Sequence, residues 1–172
     1  MSKDKSTLVP IGINYEHHEI HNGSHFFYQN FAELDDGISI DFGILPPANN
    51  KETHFVFEIQ AQATFTFQYY EASTITWDGT PITALNNDRN SSAVSNWAQF
   101  ELNPTIVAVG NLLGAALLGN ATSPINRIPG GGERDREMIL KQNTAYLFRI
   151  TSGADGNNVS WLAEWYEHTR KQ

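Results

Sequence analysis

Residues 53–70, THFVFEIQAQATFTFQYY, decide the fold class. Phe55, Phe57, Ile59, Ala61, Ala63, Phe65, Phe67 and Tyr69 take the odd positions, while His54, Val56, Glu58, Gln60, Gln62, Thr64, Thr66, Gln68 and Tyr70 fall on even ones. Side chains alternate across a strand, so this period of two places one face on a core and leaves the other wet or open to a partner. The stretch is too long for one strand of about five or six residues. It predicts two strands with a bend near Gln60–Ala63, although no glycine marks that bend.

The same period recurs at Ile38, Ile40, Phe42 and Ile44, at Tyr146, Phe148 and Ile150, and at Trp161, Ala163 and Trp165. Between these runs lie chain-turning residues: Pro46–Asn50, Asp78-Gly79, Asn86–Ser92, Gly130–Gly132 and Gly153–Asn158. Strands broken by turns at this density predict an all-β, antiparallel β-sandwich that is jelly-roll-like. The expected organisation is an extended N-terminal arm over residues 1–14 and a single β-sandwich domain over 15–172. Asn111–Leu118 has Gly114 in its middle and Gly119 at its end, which favours a loop or strand over a short helix. There is no repeat at a fixed spacing, which argues against propellers and solenoids.

A chain of 172 residues is long enough for one core without staples. It has no cysteine, which removes disulfide scaffolds, thiolate metal sites and cysteine nucleophiles together. Nineteen acidic against eleven basic residues give a net charge of −8, the wrong sign for holding nucleic acid phosphates. Met1–Pro10 is polar and lacks the apolar run of a secretory signal. Leu102–Asn126 carries no charge, yet its two prolines, three glycines and four asparagines argue against a membrane span. No membrane and no nucleic acid partner is expected.

Chemistry-bearing patterns are sparse. Four of the six histidines, His17, His18, His21 and His25, fall close together beside Glu16 and Glu19. Imidazoles and carboxylates ligate zinc, nickel or iron. On a strand His17, His21 and His25 would share a face, and on a helix His17 and His21 would be adjacent. Gly23 and the polar arm before the cluster predict a flexible lead into the fold, so these residues are read as turn or interface residues. A cupin-type metal barrel needs closely spaced histidines; no His-x-His occurs, and His54 and His168 are far apart, with His168 expected in the exposed C-terminal end. Glu133–Glu137 reads as a solvated charge run. The triple glycine lacks the lysine and hydroxyl of a phosphate-binding loop. No Gly-x-Ser-x-Gly elbow is present. The expectation is no enzyme, no catalytic residue, no cofactor and no metal.

Leu102–Ala121 is too apolar for a freely solvated loop, and its small residues permit close backbone approach, so it either threads through the core or covers another subunit, the second being preferred. Val107, Val109, Leu112, Leu113, Leu117 and Leu118 are the subunit-interface candidates. The polar segment Met1–Asn14, with Pro10 and Gly12, suits an arm that lies along a partner's sheet edge.

Asn86–Ser92 (NNDRNSS), then a glycine-rich turn and Arg136–Thr144 (REMILKQNT), then Tyr146–Arg149 (YLFR) and the closing Trp165-Tyr166-Glu167 together resemble small structural proteins of tailed bacteriophages. The resemblance spans about His17 to His168. It implies a head decoration, or cement, protein that is assembled in the host cytoplasm and binds the outer surface of the capsid in the virion. It further implies a homotrimer whose partner is the major capsid protein, with Leu8, Val9, Pro10, Ile11, Tyr15, His17, His18 and His21 as capsid-contact candidates. Two rival readings remain. One is a virion spike or fibre module binding host surface carbohydrate through exposed tryptophans and the Asn86–Ser92 loop. The other is a small metal-dependent barrel enzyme.

Overall fold

The computed structural model describes residues 2–3, 10–11, 15–119, 126–127 and 137–169, with side chains over 16–119 and 137–169. In chain order the elements are β1 (Ser2–Lys3), β2 (Pro10–Ile11), α1 (Tyr15–His21), β3 (His25–Leu34), β4 (Ser39–Leu45), β5 (Lys51–Ala61), β6 (Phe65–Glu71) and β7 (Thr74–Thr76). They continue with β8 (Thr80–Pro81), β9 (Leu85–Asn86), β10 (Gln99–Leu102), β11 (Thr105–Ala108), β12 (Asn111–Leu118), β13 (Asn126–Arg127), β14 (Met138–Leu140), β15 (Tyr146–Ser152) and β16 (Asn157–Thr169). Strands hold 59% of the chain and helix 4%, so the fold is all-β as expected.

Two antiparallel sheets carry the structure. One runs β12-β6-β15-β4-β10-β8, and the other runs β13-β5-β16-β3-β9 with β14 also paired to β5. The aromatic residues of the period-two runs meet between them. Phe42 of β4 packs against Phe57 of β5 and Trp161 of β16 with ring centroids 5.2 Å apart, and Phe148 of β15 lies 5.0 Å from Phe55. These edge-to-face and tilted contacts cross the gap between sheets, which is what makes the assembly a sandwich.

The run Thr53–Tyr70 divides as expected, into β5 and β6. Its corner is built without glycine because tertiary partners hold it. Gln62 N–H donates to the Asn158 carbonyl at 3.0 Å, and Ala63 N–H donates to Asn157 Oδ1 at 2.9 Å. The chain changes sheets there while the odd residues stay inward: Phe55, Ile59, Phe65 and Phe67 are all buried. Ile38 departs from its run, being 52% exposed, because it precedes β4 and lies outside the paired segment.

A second, thin layer covers the outward face of β4 and β15. Trp77, Pro104 and Ile75 of the β7–β11 region lie directly over Gly43, where an added Cβ would fall 2.8 Å from the Trp77 ring. Leu147, whose register partner is Gly43, is fully buried beneath this layer.

Three expectations need correction. The segment before Gly23 is no loose lead: Tyr15–His21 is a helix that packs on β16 and β3, anchored by buried Glu19, which accepts from Ser24 Oγ. Leu118 faces the core and packs against it, so it is no free interface residue. His168 lies within the sheet, with its side chain only 17% exposed. Leu8 and Val9, Gly130–Gly132 and Glu133–Arg136 lie outside the described residues.

Candidate functional site

Asn111–Leu118 forms β12, an edge strand, settling the choice between loop and strand. It pairs with β6 alone, from Asn111↔Glu71 to Leu118↔Phe65, with a register shift around Leu113. Gly114 is required there, because an added Cβ would lie 2.5 Å from the Tyr69 ring. Of the ten exposed large apolar side chains among the described residues, Val107, Val109, Leu112, Leu113 and Leu117 make five. Leu117 is 74% exposed and Val107 65%. Edge strands normally guard their unpaired backbone with lysine, proline or inward charges. β12 has none of these, and no strand covers its outer edge among the described residues.

The capsid-contact candidates fall in two places. Pro10 and Ile11 pair with Lys3 and Ser2 as the short antiparallel ribbon β1–β2. Tyr15, His17, His18 and His21 lie on α1, where all three histidines are exposed. His17 and His21 face each other one helical turn apart, with their Nε2 atoms 3.1 Å apart. His25 parts from them: it is fully buried on β3, beside Asn87.

The groups that a carbohydrate reading needs serve the fold instead. Trp161 and Trp165 are buried, and Trp97 stacks on Trp165. Phe31 is the one aromatic among the exposed large apolar residues described. In the Asn86–Ser92 loop, buried Asn86 donates to the Gly23 carbonyl at 2.8 Å, and Asn87 bonds His25.

A cluster not foreseen from sequence lies on the outward face of the other sheet. Glu52 and His54 share that face two residues apart on β5, and Tyr166 and His168 share it on β16. The register sets His54 opposite Tyr166 and Glu52 opposite His168. His54 Nε2 and His168 Nε2 are 2.8 Å apart. On its other side, His54 Nδ1 lies 2.7 Å from Glu137 Oε1, which also accepts from the Tyr166 hydroxyl at 3.0 Å. The His54 ring stacks on Tyr166 with centroids 4.5 Å apart. The available signal was two strands each carrying titratable residues at i and i+2. Which strand neighbours which is a tertiary fact.

Compared with protein families, curated proteins and solved structures, the chain matches none. Its chemistry therefore rests on geometry. The exposed apolar edge suits a protein partner. The Glu52, His54 and His168 group has the donor set of a metal centre.

Proposed function

We propose that this chain is a non-enzymatic virion structural protein that binds the outer surface of an assembled phage capsid and stabilises it as a decoration protein. The observation that carries the reading is β12, an uncharged edge strand with Leu112, Leu113 and Leu117 exposed on a sandwich whose core is filled by buried aromatic residues. Such a strand calls for a protein cover. The occupant of choice is another copy of the chain, giving a homotrimer in which β11 and β12 lie between subunits.

Strand order lends support. β3-β16-β5-β14 faces β4-β15-β6-β12, and these eight strands alternate between the two sheets in chain order except at β6 and β12, which pair within one sheet. We read this order as jelly-roll-like, an architecture used by viral capsid and lectin domains and by cupins. Fold alone does not choose among those functions; the resemblance to phage head proteins does. The net charge of −8 fits a face turned away from packaged DNA.

A protein that binds the assembled shell and not its free subunits stabilises the shell by mass action. Three arms on one oligomer multiply weak contacts through effective concentration. The arm's backbone already pairs as a strand in β1–β2, which suits addition to a sheet edge on the shell.

The test is to add purified chain to capsids lacking it and image the particles by electron microscopy. Density on the outer shell at local threefold sites is expected, together with loss of binding but retention of the oligomer after deletion of residues 1–14. Failure of the full chain to bind shells, or density confined to the tail, overturns the reading.

A further inference from the structure

We propose that Glu52, His54 and His168 form a three-ligand Zn²⁺ site that ties β5 to the C-terminal end of β16. Proton accounting at the two imidazoles leads there. The Thr169 carbonyl, 3.0 Å from His168 Nδ1, can only accept, so the proton of a neutral His168 sits on Nδ1. The Glu137 carboxylate, 2.7 Å from His54 Nδ1, likewise only accepts, so the proton of a neutral His54 also sits on Nδ1. Both Nε2 atoms then present lone pairs to each other across 2.8 Å. The opposite tautomer of His54 turns its Nδ1 lone pair toward Glu137, with the Tyr166 hydroxyl 2.9 Å away as its donor. Three short contacts need three protons, and two neutral rings hold two; either a third proton, which makes His54 an imidazolium beside the Glu137 carboxylate, or a metal ion between the two Nε2 atoms completes the group.

A metal ion completes it with the ligands already in place. One ligand atom each from Glu52, His54 and His168 lie within 4.8 Å of one another, with His168 Nε2 2.8 Å from His54 Nε2 and 4.0 Å from Glu52 Oε2. Two histidines and a glutamate are a zinc donor set that leaves a fourth position for water. Zinc–nitrogen bonds of about 2.0–2.1 Å set tetrahedral nitrogens about 3.3 Å apart. A small rotation of the two rings opens the observed separation that far. The surroundings are also those of metal-bound histidine. Glu137 holds the Nδ1–H of His54 and the Thr169 carbonyl holds that of His168, so each ring is fixed with Nε2 turned toward the other. The Tyr166 hydroxyl in turn donates to Glu137 at 3.0 Å. Glu52 also borders an open cleft of about 590 Å³ with Asn50, Lys141, Gln142 and Thr169, which gives an ion a path from solvent.

The experiment is calorimetric titration of the full chain, without a histidine tag, with Zn²⁺ alone, paired with thermal unfolding with and without the ion. One Zn²⁺ per chain and a raised unfolding midpoint are expected. His168→Ala and Glu52→Ala should each lose the site. Glu137→Gln, which keeps all three ligands, should weaken binding by about 10–100-fold. The exposed His17 and His21 on α1 are a second place where zinc can sit, so the double variant His17→Ala/His21→Ala serves as the control and should retain the site. Absence of stoichiometric zinc, or zinc binding that survives His168→Ala and disappears in the α1 double variant, overturns the proposal.

Discussion

Trp97 stacks on Trp165 with ring centroids 3.9 Å apart and planes 11° from parallel, which joins the segment before β10 to the centre of β16. Glu167, two residues further along β16, holds the same segment from below. Its carboxylate is 2% exposed and accepts from Ser95 Oγ at 2.7 Å, from Asn96 N at 3.0 Å and from Trp165 Nε1 at 3.2 Å. A hydrogen bond to a charged group contributes about 1.5–3 kcal/mol, and its loss also strands the buried donors.

Glu167→Ala should therefore destabilise the fold by about 3 kcal/mol. Glu167→Gln keeps one acceptor oxygen and should cost about half as much. The urea midpoint measures both. A Glu167→Ala midpoint equal to that of the parent would mean that the tryptophan stack alone holds the segment.

Gly43 gives a second test, of the thin layer over β4. Valine there would place its side chain into Trp77 and Pro104, which approach an added Cβ to 2.8 and 2.9 Å. Overpacking of a well-filled contact costs about 1–3 kcal/mol, so Gly43→Val should lower stability by about 2 kcal/mol. Displacement of Trp77 should appear as a red shift in tryptophan emission. An unshifted spectrum at parental stability would show that the layer yields freely.

The parts of the fold that were legible are those set by period alone. Phe55, Phe57 and Ile59, or Tyr146, Phe148 and Ile150, declare an inward face because a strand has no other way to sort alternating residues. Strand length predicts a bend near Gln60–Ala63, and the break between β5 and β6 falls at Gln62–Thr64, but its makers, Asn157 and Asn158, lie far along the chain and could not be read. α1 was missed because a seven-residue helix beside Gly23 has too few turns to show a 3.6 period, and it is held by packing rather than propensity. Exposure of Leu112, Leu113 and Leu117 followed from an uncharged stretch too apolar for a solvated loop; Leu118 did not, since alternation on β12 returns it to the core. The meeting of His54 and His168 depends on β5 pairing with β16, a contact across 114 positions. No local pattern encodes such a contact.

Alkaline pH tests the buried phenol of Tyr146. Its hydroxyl donates to Glu71 Oε2 at 3.0 Å and accepts from Lys141 N at 2.8 Å, while Lys141 Nζ reaches Glu71 Oε1 at 2.6 Å. Burial pushes the phenol from 10.0 up to about 12, although the Lys141 N–H pulls the other way. The unfolded chain therefore releases this proton first. The stability linked to Tyr146 is complete below pH 10 and is lost as pH rises through about 12. Tyr146→Phe should lower stability near pH 8 by about 1 kcal/mol through the lost hydrogen bonds. Its unfolding midpoint should also fall less steeply than the parent's between pH 10 and about 12. Parallel alkaline limbs for the two proteins would rule out Tyr146 as the group responsible.

Self-association rests on β12, and Leu117 is the residue that separates assembly from folding. At 74% exposure it contributes little to the core of a single chain, and its register partner on β6 is Thr66. Surface substitutions away from special features stay within about 0.5 kcal/mol, so Leu117→Lys should leave the urea midpoint of an isolated chain nearly unchanged. In an assembly that covers β12, the same lysine buries a charge without a partner, which dissociates the oligomer. It also supplies the guard that this edge lacks. Sedimentation should find the parent as a trimer and Leu117→Lys as a monomer of parental stability. Ala116→Lys offers the contrast. Ala116 faces the sandwich interior opposite Phe67, so lysine there should destabilise the chain itself. A parent already monomeric at high concentration, or a trimer that tolerates Leu117→Lys, would move the subunit contact away from β12 and leave its leucines for the shell.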